Sequence, residues 1–154
     1  MSTRNRFGVF AGAAAIAATT LLTGTGTAQA EPLPAPPTGV TFSTMSDVNG
    51  LQVEARRNGV RLGWGKWRQN PVSLENLPGD TVISRNQRTD GIYVRTYLVD
   101  RAHSASTKGN DAEGYENHVS KNHTDEGARA WMKVCVGYIS NGHETCSGQY
   151  AVTI

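Results

Sequence analysis

Residues 100–127 hold the side chains of this chain whose types best suit chemistry. Three histidines and six acids occur there, with few large apolar residues. Imidazoles and carboxylates are zinc ligands, and Glu116, His118 and His123 could meet at one ion if the segment folded back on itself. The spacing matches neither His-x3-His, His-Glu-x2-His nor a Cys2His2 set. Glu116, His118 and His123 are therefore weak metal candidates, and no cofactor is expected.

Two other kinds of chemistry fit the same segment. Asn110-Asp111-x-Glu113-Gly114 clusters oxygen ligands as calcium requires, although the EF-hand order is not met. Glu113 and Glu116 are a pair of carboxylates of the kind used in general acid–base catalysis. A solvated, flexible connection explains the same composition without a site, and long connections are often functional or mobile.

Signatures of common enzyme classes are missing from the sequence. Serine and histidine occur together, but no Gly-x-Ser-x-Gly nucleophile elbow is present. The glycine-containing stretch at residues 63–67 has neither the spacing nor the following helix of a phosphate-binding loop. No catalytic residue is assigned, and a binding function is favoured over catalysis.

Aromatic and basic residues alternate in the segment Arg61-Leu62-Gly63-Trp64-Gly65-Lys66-Trp67-Arg68. Strand alternation predicts that Trp64 points inward with Leu62 and that Trp67, beyond the regular part of the strand, is exposed. An exposed indole beside cations suits stacking on a sugar ring or anchoring in a partner's pocket. The candidate binding residues are Arg61, Lys66, Trp67 and Arg68. The alternative is that both tryptophans are core and the cations form a solvated face.

The two cysteines of the chain, Cys135 and Cys146, are predicted to form a structural disulfide. In a hairpin centred on Ser140-Asn141 they lie directly opposite each other, and in one centred on Asn141-Gly142 they lie diagonally on the same face. A redox pair or a thiol nucleophile is the alternative. Redox pairs are usually more closely spaced, so the structural bond is favoured.

A hairpin must position the tryptophan-containing segment. Two strand-like runs flank Asn58-Gly59, and Asn-Gly is the strongest short signal for a type I′ turn. With these two residues as the loop, Ala55 lies opposite Leu62 and Val53 opposite Trp64. The apolar residues of both strands then share one face, which a shift of one residue would destroy.

The rest of the chain from residue 40 onward also reads as short strands separated by turns. A second hairpin joins residues 131–139 to residues 144–154, and its first strand is apolar on both faces, as in a central strand. Further strands are predicted at residues 40–45, 81–85 and 92–99. The expected fold is all-β: a small antiparallel β-sandwich of about seven strands, immunoglobulin-like or jelly-roll-like, with its C-terminal hairpin bridged by one disulfide.

Residues 1–30 have the pattern of a secretory signal peptide. A basic start precedes an uncharged apolar run at residues 9–22, and Ala28-Gln29-Ala30 supplies a small-residue cleavage motif. The apolar run is shorter than the roughly 20 residues that a membrane-spanning helix needs. The mature chain is therefore expected to be secreted, with no membrane insertion after cleavage.

Cleavage would change the charge of the chain. Arg4 and Arg6 are two of the 15 basic residues, so the remaining chain has 13 basic and 13 acidic residues and is formally neutral. The basic isoelectric point of the precursor therefore does not indicate nucleic-acid binding. The expected organisation is a Pro-rich extended lead-in at residues 31–39 and one β domain at residues 40–154, with a long polar loop at about 100–127.

These features favour a small secreted β domain that acts by binding an extracellular protein or a cell-wall glycan, an inhibitor being one such role. The alternatives are a secreted hydrolase or metal-dependent enzyme that uses the His- and acid-rich segment, and a secreted antimicrobial or toxin factor. A monomer that binds no nucleic acid is expected. In composition, the leader and the short Gly-, Thr- and Trp-bearing strands resemble exported proteins of high-GC Gram-positive bacteria.

Overall fold

The computed structural model describes residues 35–47, 50–71 and 78–154, which all belong to the compact unit Pro32–Ile154. The predicted signal peptide and the first four residues of the predicted lead-in lie outside the described residues. The described part of the chain consists of β-strands, their connections and one short 3-10 turn. No helix in it is long and apolar enough to cross a membrane.

The described residues form ten strands, three more than the sequence predicts. They are β1 (Val40–Asp47), β2 (Gly50–Arg57), β3 (Val60–Arg68), β4 (Thr81–Asn86), β5 (Ile92–Leu98), β6 (His103–Ser106), β7 (Glu116–Ser120), β8 (Arg129–Tyr138), β9 (Glu144–Cys146) and β10 (Tyr150–Thr153). The additional strands are β6 and β7, together with the division of the last predicted strand into β9 and β10.

Two antiparallel sheets make up the fold. Sheet 1 has the order β1-β2-β3-β4-β7, and sheet 2 has the order β10-β8-β5-β6, with β9 also paired to β8. Buried apolar residues from both sheets, such as Val53 and Val82 of sheet 1 and Val94 and Val134 of sheet 2, belong to one core cluster. Each sheet therefore has an inner face toward this core and an outer face.

The hairpin predicted at Asn58-Gly59 is confirmed as the turn between β2 and β3. Both residues have positive φ, 51° and 79°, as a type I′ turn requires. Arg57 pairs with Val60 across it, as the sequence predicts. The turn chemistry alone is enough to start this hairpin.

The pairing beyond the turn differs from the prediction because β3 contains a bulge. Arg56 pairs with Arg61, but Ala55 pairs with Gly63, so Leu62 is an extra residue in β3. An extra residue moves each following side chain to the opposite face. The predicted orientation of the two tryptophans is consequently wrong. Trp64 lies on the outer face, and Trp67 is a core residue with 1% of its surface exposed.

Glycines on the inner face of β3 let the sheets approach closely beside Trp67. A Cβ atom on Gly65 would lie 2.0 Å from Thr96 Oγ1 and 2.5 Å from Val134 Cγ2. A Cβ atom on Gly63 would lie 2.6 Å from Val94 Cγ2 of sheet 2, and 2.2 Å from the backbone oxygen of Arg85 in the neighbouring strand β4. These contacts are far shorter than van der Waals distances, so these positions require glycine.

The C-terminal hairpin and its disulfide are confirmed. Cys135 in β8 pairs directly with Cys146 in β9, the register expected for a loop centred on Ser140-Asn141, and the two sulfurs are bonded. Strand β8 lies between β5 on one side and β9 and β10 on the other, so it is central as predicted. On the inner face of β8, Val134 is fully buried in the core. On its outer face, Trp131 has 39% of its surface exposed.

Two predicted irregular segments contain more structure than expected. Residues 100–127 are not a long loop, because β6 pairs with β5 in sheet 2 and β7 pairs with β4 in sheet 1. The described end of the lead-in, residues 35–39, has no strand, but Pro37 is buried and its carbonyl accepts a hydrogen bond from Thr145 Oγ1 at 2.5 Å. This short stretch is therefore packed against β9.

Candidate functional site

A groove of about 490 Å³ crosses the outer face of sheet 1. We call it the basic groove, because three of its eight lining residues carry a permanent positive charge. The lining residues are Gln52, Trp64, Lys66, Arg68, Ile83, Arg85, Glu116 and His118. They come from the four adjacent strands β2, β3, β4 and β7.

Strand register explains why these side chains converge. Lys66 pairs with Ile83, and Ile83 pairs with His118 on its other side. Two residue pairs further along, Trp64 pairs with Arg85, and Arg85 pairs with Glu116. Side chains directly opposite each other in an antiparallel sheet share a face, so two cross-strand rows meet there. The bulge in β3 turns this part of the strand outward and thereby assembles the groove.

The acids of this face already neutralise part of its charge. Glu116 accepts hydrogen bonds from Arg85 Nη1 at 3.2 Å and from His118 Nε2. Glu54 forms ion pairs with Arg56 and, at 2.6 Å, with Arg61 Nε. Each carboxylate therefore lies between two nitrogen-bearing side chains. With Lys66 and Arg68 added, the described side chains of this face comprise five permanent cations and two acids.

Four of the sequence candidates meet in this groove: Lys66, Arg68, Glu116 and His118. Lys66 and Arg68 are largely buried, with 9% and 6% of their surface exposed. The fifth candidate, Arg61, lies on the same face as the partner of Glu54.

Trp67 and His123 are not part of the groove. The rings of Trp67, His103 and His123 form a cluster in which each pair of ring centres is separated by 5.3–6.2 Å. Trp67 donates a hydrogen bond from Nε1 to the backbone oxygen of Thr153 at 2.8 Å. The indole nitrogen and the ring of Trp67 therefore both make contacts within the fold.

The predicted zinc set is divided between two places in the structure. His118 bonds to Glu116 on the outer face of sheet 1, whereas His123 contacts the buried His103. Among the described residues, a single group of three potential ligands lies close together, namely Cys135, Glu144 and Cys146. Its two sulfurs are joined in the disulfide, so this group does not provide thiolate ligands.

The oxygens of the predicted calcium segment stabilise turns. Asp111 Oδ2 accepts a hydrogen bond from the backbone of Gly91 at 2.9 Å, and Asn110 Oδ1 accepts one from Ala112 at 2.9 Å. Glu113 is exposed and uses its backbone N–H to contact Thr89 Oγ1. Glu116 lies in the basic groove, whereas Glu113 is exposed. The two carboxylates considered for general acid–base catalysis therefore have different surroundings.

A second cationic surface, which sequence reasoning missed, covers the outer face of sheet 2. Arg95 lies over the rings of Tyr93 and Tyr97, at 5.4 and 5.8 Å from their centres. Lys133 lies 4.8 Å from the ring centre of Tyr97. Glu144 accepts hydrogen bonds from both tyrosines, at 2.8 and 3.0 Å. Burial and this carboxylate raise the pKa of Tyr93 well above its usual range.

The alternation Tyr93-x-Arg95-x-Tyr97 within a predicted strand was the available signal for this surface. Two more cations lie over aromatic rings of the same face, Lys108 over Tyr93 and Arg129 over Trp131. Among the described side chains, four basic residues therefore accompany one acid on it. The remaining acids with described side chains lie in the connections: Asp80, Asp90, Asp100, Asp111, Glu113, Asp125 and Glu126. Among the described side chains, both outer faces are thus net basic, and most acids lie in the connections.

No family model, curated protein or solved structure was found to match this chain. The chemistry of the basic groove is therefore the basis for a functional proposal. It brings together the guanidiniums of Arg68 and Arg85, the ammonium of Lys66 and the indole of Trp64, groups that can bind anions.

Proposed function

We propose that the chain is a small secreted β-sandwich domain that acts by binding an extracellular protein or cell-wall glycan. The partner would present anionic groups to the basic groove. The observation that carries this proposal is the convergence of Lys66, Arg68 and Arg85 around Trp64. An immunoglobulin-like or jelly-roll-like topology for the sandwich stays a prediction.

The composition of the groove supports an anionic ligand for two reasons. A guanidinium such as that of Arg85 can bind a carboxylate or phosphate through two parallel hydrogen bonds. Trp64 is partly exposed beside these cations, and an indole can stack on a sugar ring or a planar group of the ligand. Ligand anions would compete with Glu116 for Arg85, so binding should be sensitive to ionic strength.

The alternative of a hydrolase has less support from the same geometry. The candidate acids and histidines are distributed over three surroundings: His118 in the groove, His123 beside the buried His103, and Glu113 in an exposed turn. General acid–base catalysis needs its groups within hydrogen-bonding reach of one substrate. This separation favours binding.

Titration with model polyanions tests the proposal. We expect polyglutamate or polygalacturonate to change the tryptophan fluorescence of the mature chain, and we expect added salt to weaken binding. The two probes distinguish acidic protein segments from acidic glycans. Arg85→Gln should weaken binding, and Trp64→Phe should remove most of the fluorescence change.

The matched control is Arg129→Gln, which removes the same charge from the outer face of sheet 2. It should bind like the wild type. Equal weakening by Arg85→Gln and Arg129→Gln would contradict the assignment to the groove. Binding that does not respond to salt would contradict an anionic ligand. Circular dichroism of each variant would show whether lost binding reflects lost folding.

Secretion is tested separately by N-terminal sequencing of the protein recovered from culture medium. The expected first residue is Glu31, directly after Ala28-Gln29-Ala30. A chain that begins before Glu31, or that stays with the cells, would contradict the proposed export.

A further inference from the structure

The edges of the two sheets differ in how well they are protected against pairing with another strand. An edge strand presents unpaired backbone N–H and C=O groups, and natural proteins block such edges with short strands, charges, prolines or bulges. Sheet 1 ends at β1 and β7, and sheet 2 ends at β6 and at the β9–β10 pair.

Three of these edges are protected. Strand β7 has five residues and carries the charged Glu116, which is hydrogen-bonded to His118. Strand β6 has four residues. The last edge is interrupted between Cys146 and Tyr150, which divides it into two short strands. Each of these three edges is too short, too charged or too irregular to pair with a long strand of another molecule.

Strand β1 lacks these protections along most of its length, because its one charged residue, Asp47, is its last. It has eight residues, and its eight pairs with β2 run from Val40 to Asp47 without a register shift. No charged residue or proline occurs from Val40 to Ser46. Within residues 35–47, 50–71 and 78–154, no strand pairs with its other edge. Its exposed residues include Thr41, Ser43, Thr44 and Met45. Met45 has 60% of its surface accessible.

We propose that β1 pairs with β1 of a second copy of this chain, antiparallel, so that the two five-stranded sheets join into one. A two-fold axis requires a surface that complements itself, and an antiparallel pair of identical strands meets that requirement. The uncharged stretch from Val40 to Ser46 brings no like charges together, whereas a second β7 would oppose its own charges.

The expected dimer is weak and reversible. One pair of eight-residue strands covers an area at or below the low end of stable interfaces, about 1,200 Å². The protein should therefore be monomeric when dilute and dimeric when concentrated. This differs from the monomer that the sequence alone predicts, and it is independent of the basic groove.

Sedimentation velocity over a range of concentrations tests this pairing. The wild type should shift from monomer to dimer as concentration rises. Ser43→Lys should lose that shift, because like charges on facing strands repel. The matched control, Ser104→Lys, places the same charge on the exposed edge of β6 and should dimerise like the wild type.

Hydrogen exchange locates the contact independently. Backbone amides between Val40 and Ser46 should gain protection as concentration rises in the wild type and in Ser104→Lys, but not in Ser43→Lys. A monomer at every concentration would overturn the proposal, as would a dimer that persists in Ser43→Lys. Protection of β1 that appears only with a polyanion would also overturn it, because it would assign that edge to a different partner.

Discussion

His103 and His123 share one hydrogen bond, with His103 Nδ1 at 3.2 Å from His123 Nε2. The other ring nitrogen of His103 lies 2.7 Å from the carbonyl oxygen of Val119, which can only accept, so His103 Nε2 carries a proton and donates. When His103 is neutral, its Nδ1 accepts from His123 Nε2. A second proton on His103 would reverse this bond, and His123 Nε2 would then have to accept.

Acid is therefore expected to destabilise the fold through His103. Burial lowers the pKa of His103, the charges of His123 and Lys121 lower it further, and the Val119 carbonyl and Asp80 oppose this shift. The unfolded chain then binds the proton first, so stability is full above about pH 6.5 and falls as the pH drops below it. Urea unfolding above and below that pH would measure the loss.

The variant His103→Gln separates this effect from general acid destabilisation. It should be less stable near neutral pH, because it changes a buried and hydrogen-bonded side chain, but it should lose less stability on acidification. An unchanged loss on acidification in His103→Gln would contradict the assignment.

Gly65 should not tolerate a side chain. The Cβ atom of Gly65→Ala would overlap Thr96 Oγ1 and Val134 Cγ2, and overpacking of this kind costs about 1–3 kcal/mol of folding free energy. The control is Gly109→Ala, because a Cβ atom there meets no heavy atom within 4 Å. Equal melting temperatures for the two variants would show that the sheets are not this close at β3.

The tryptophans of β3 should differ in their contribution to stability. Trp67→Ala removes a buried indole and its hydrogen bond to Thr153, so a loss of about 3–5 kcal/mol is expected. Trp64→Ala changes a partly exposed residue and should lose clearly less. Chemical denaturation of both variants measures the difference. A larger loss of stability in Trp64→Ala than in Trp67→Ala would indicate that Trp64 is the buried tryptophan, as simple strand alternation predicts.

The bond between Cys135 and Cys146 should contribute strongly to stability. Without it, as in the double variant Cys135→Ala/Cys146→Ala, the free energy of unfolding should fall by about 2–4 kcal/mol. The wild type unfolded under reducing conditions should lose a similar amount. A double variant as stable as the oxidised wild type would show that the hairpin of β8 and β9 does not need the bond.

The features that the sequence predicts correctly depend on local chemistry. Asn58-Gly59 sets its turn because both residues accept positive φ. Cys135 and Cys146 lie on one face in both registers that the sequence allows, and the structure has the directly opposed one. Both hairpins join strands that are neighbours in the chain. Short-range patterns therefore carry this part of the fold.

The features that the sequence does not predict depend on distant neighbours. The bulge at Leu62 depends on how β3 packs between β2 and β4, and it reverses the orientation of Trp64 and Trp67. Strand β7 is polar and short, and it becomes a strand only by pairing with β4, so Glu116 and His118 reach the groove through a tertiary contact. The composition of the sequence identified several residues of the groove, but it did not show that they lie together on the outer face of sheet 1.

The basic residues of the outer faces and the acids of the connections affect how this domain would diffuse through a negatively charged matrix. If residues 1–30 are removed as proposed, the chain has equal numbers of acids and bases, and such a protein is expected to pass a negatively charged matrix without delay. Here the matrix would meet the basic groove at close range, while most of the described acids lie in the connections, and charges beyond about 8 Å are screened at physiological salt. The domain would be retained near its own isoelectric point, and salt concentration would govern where it accumulates.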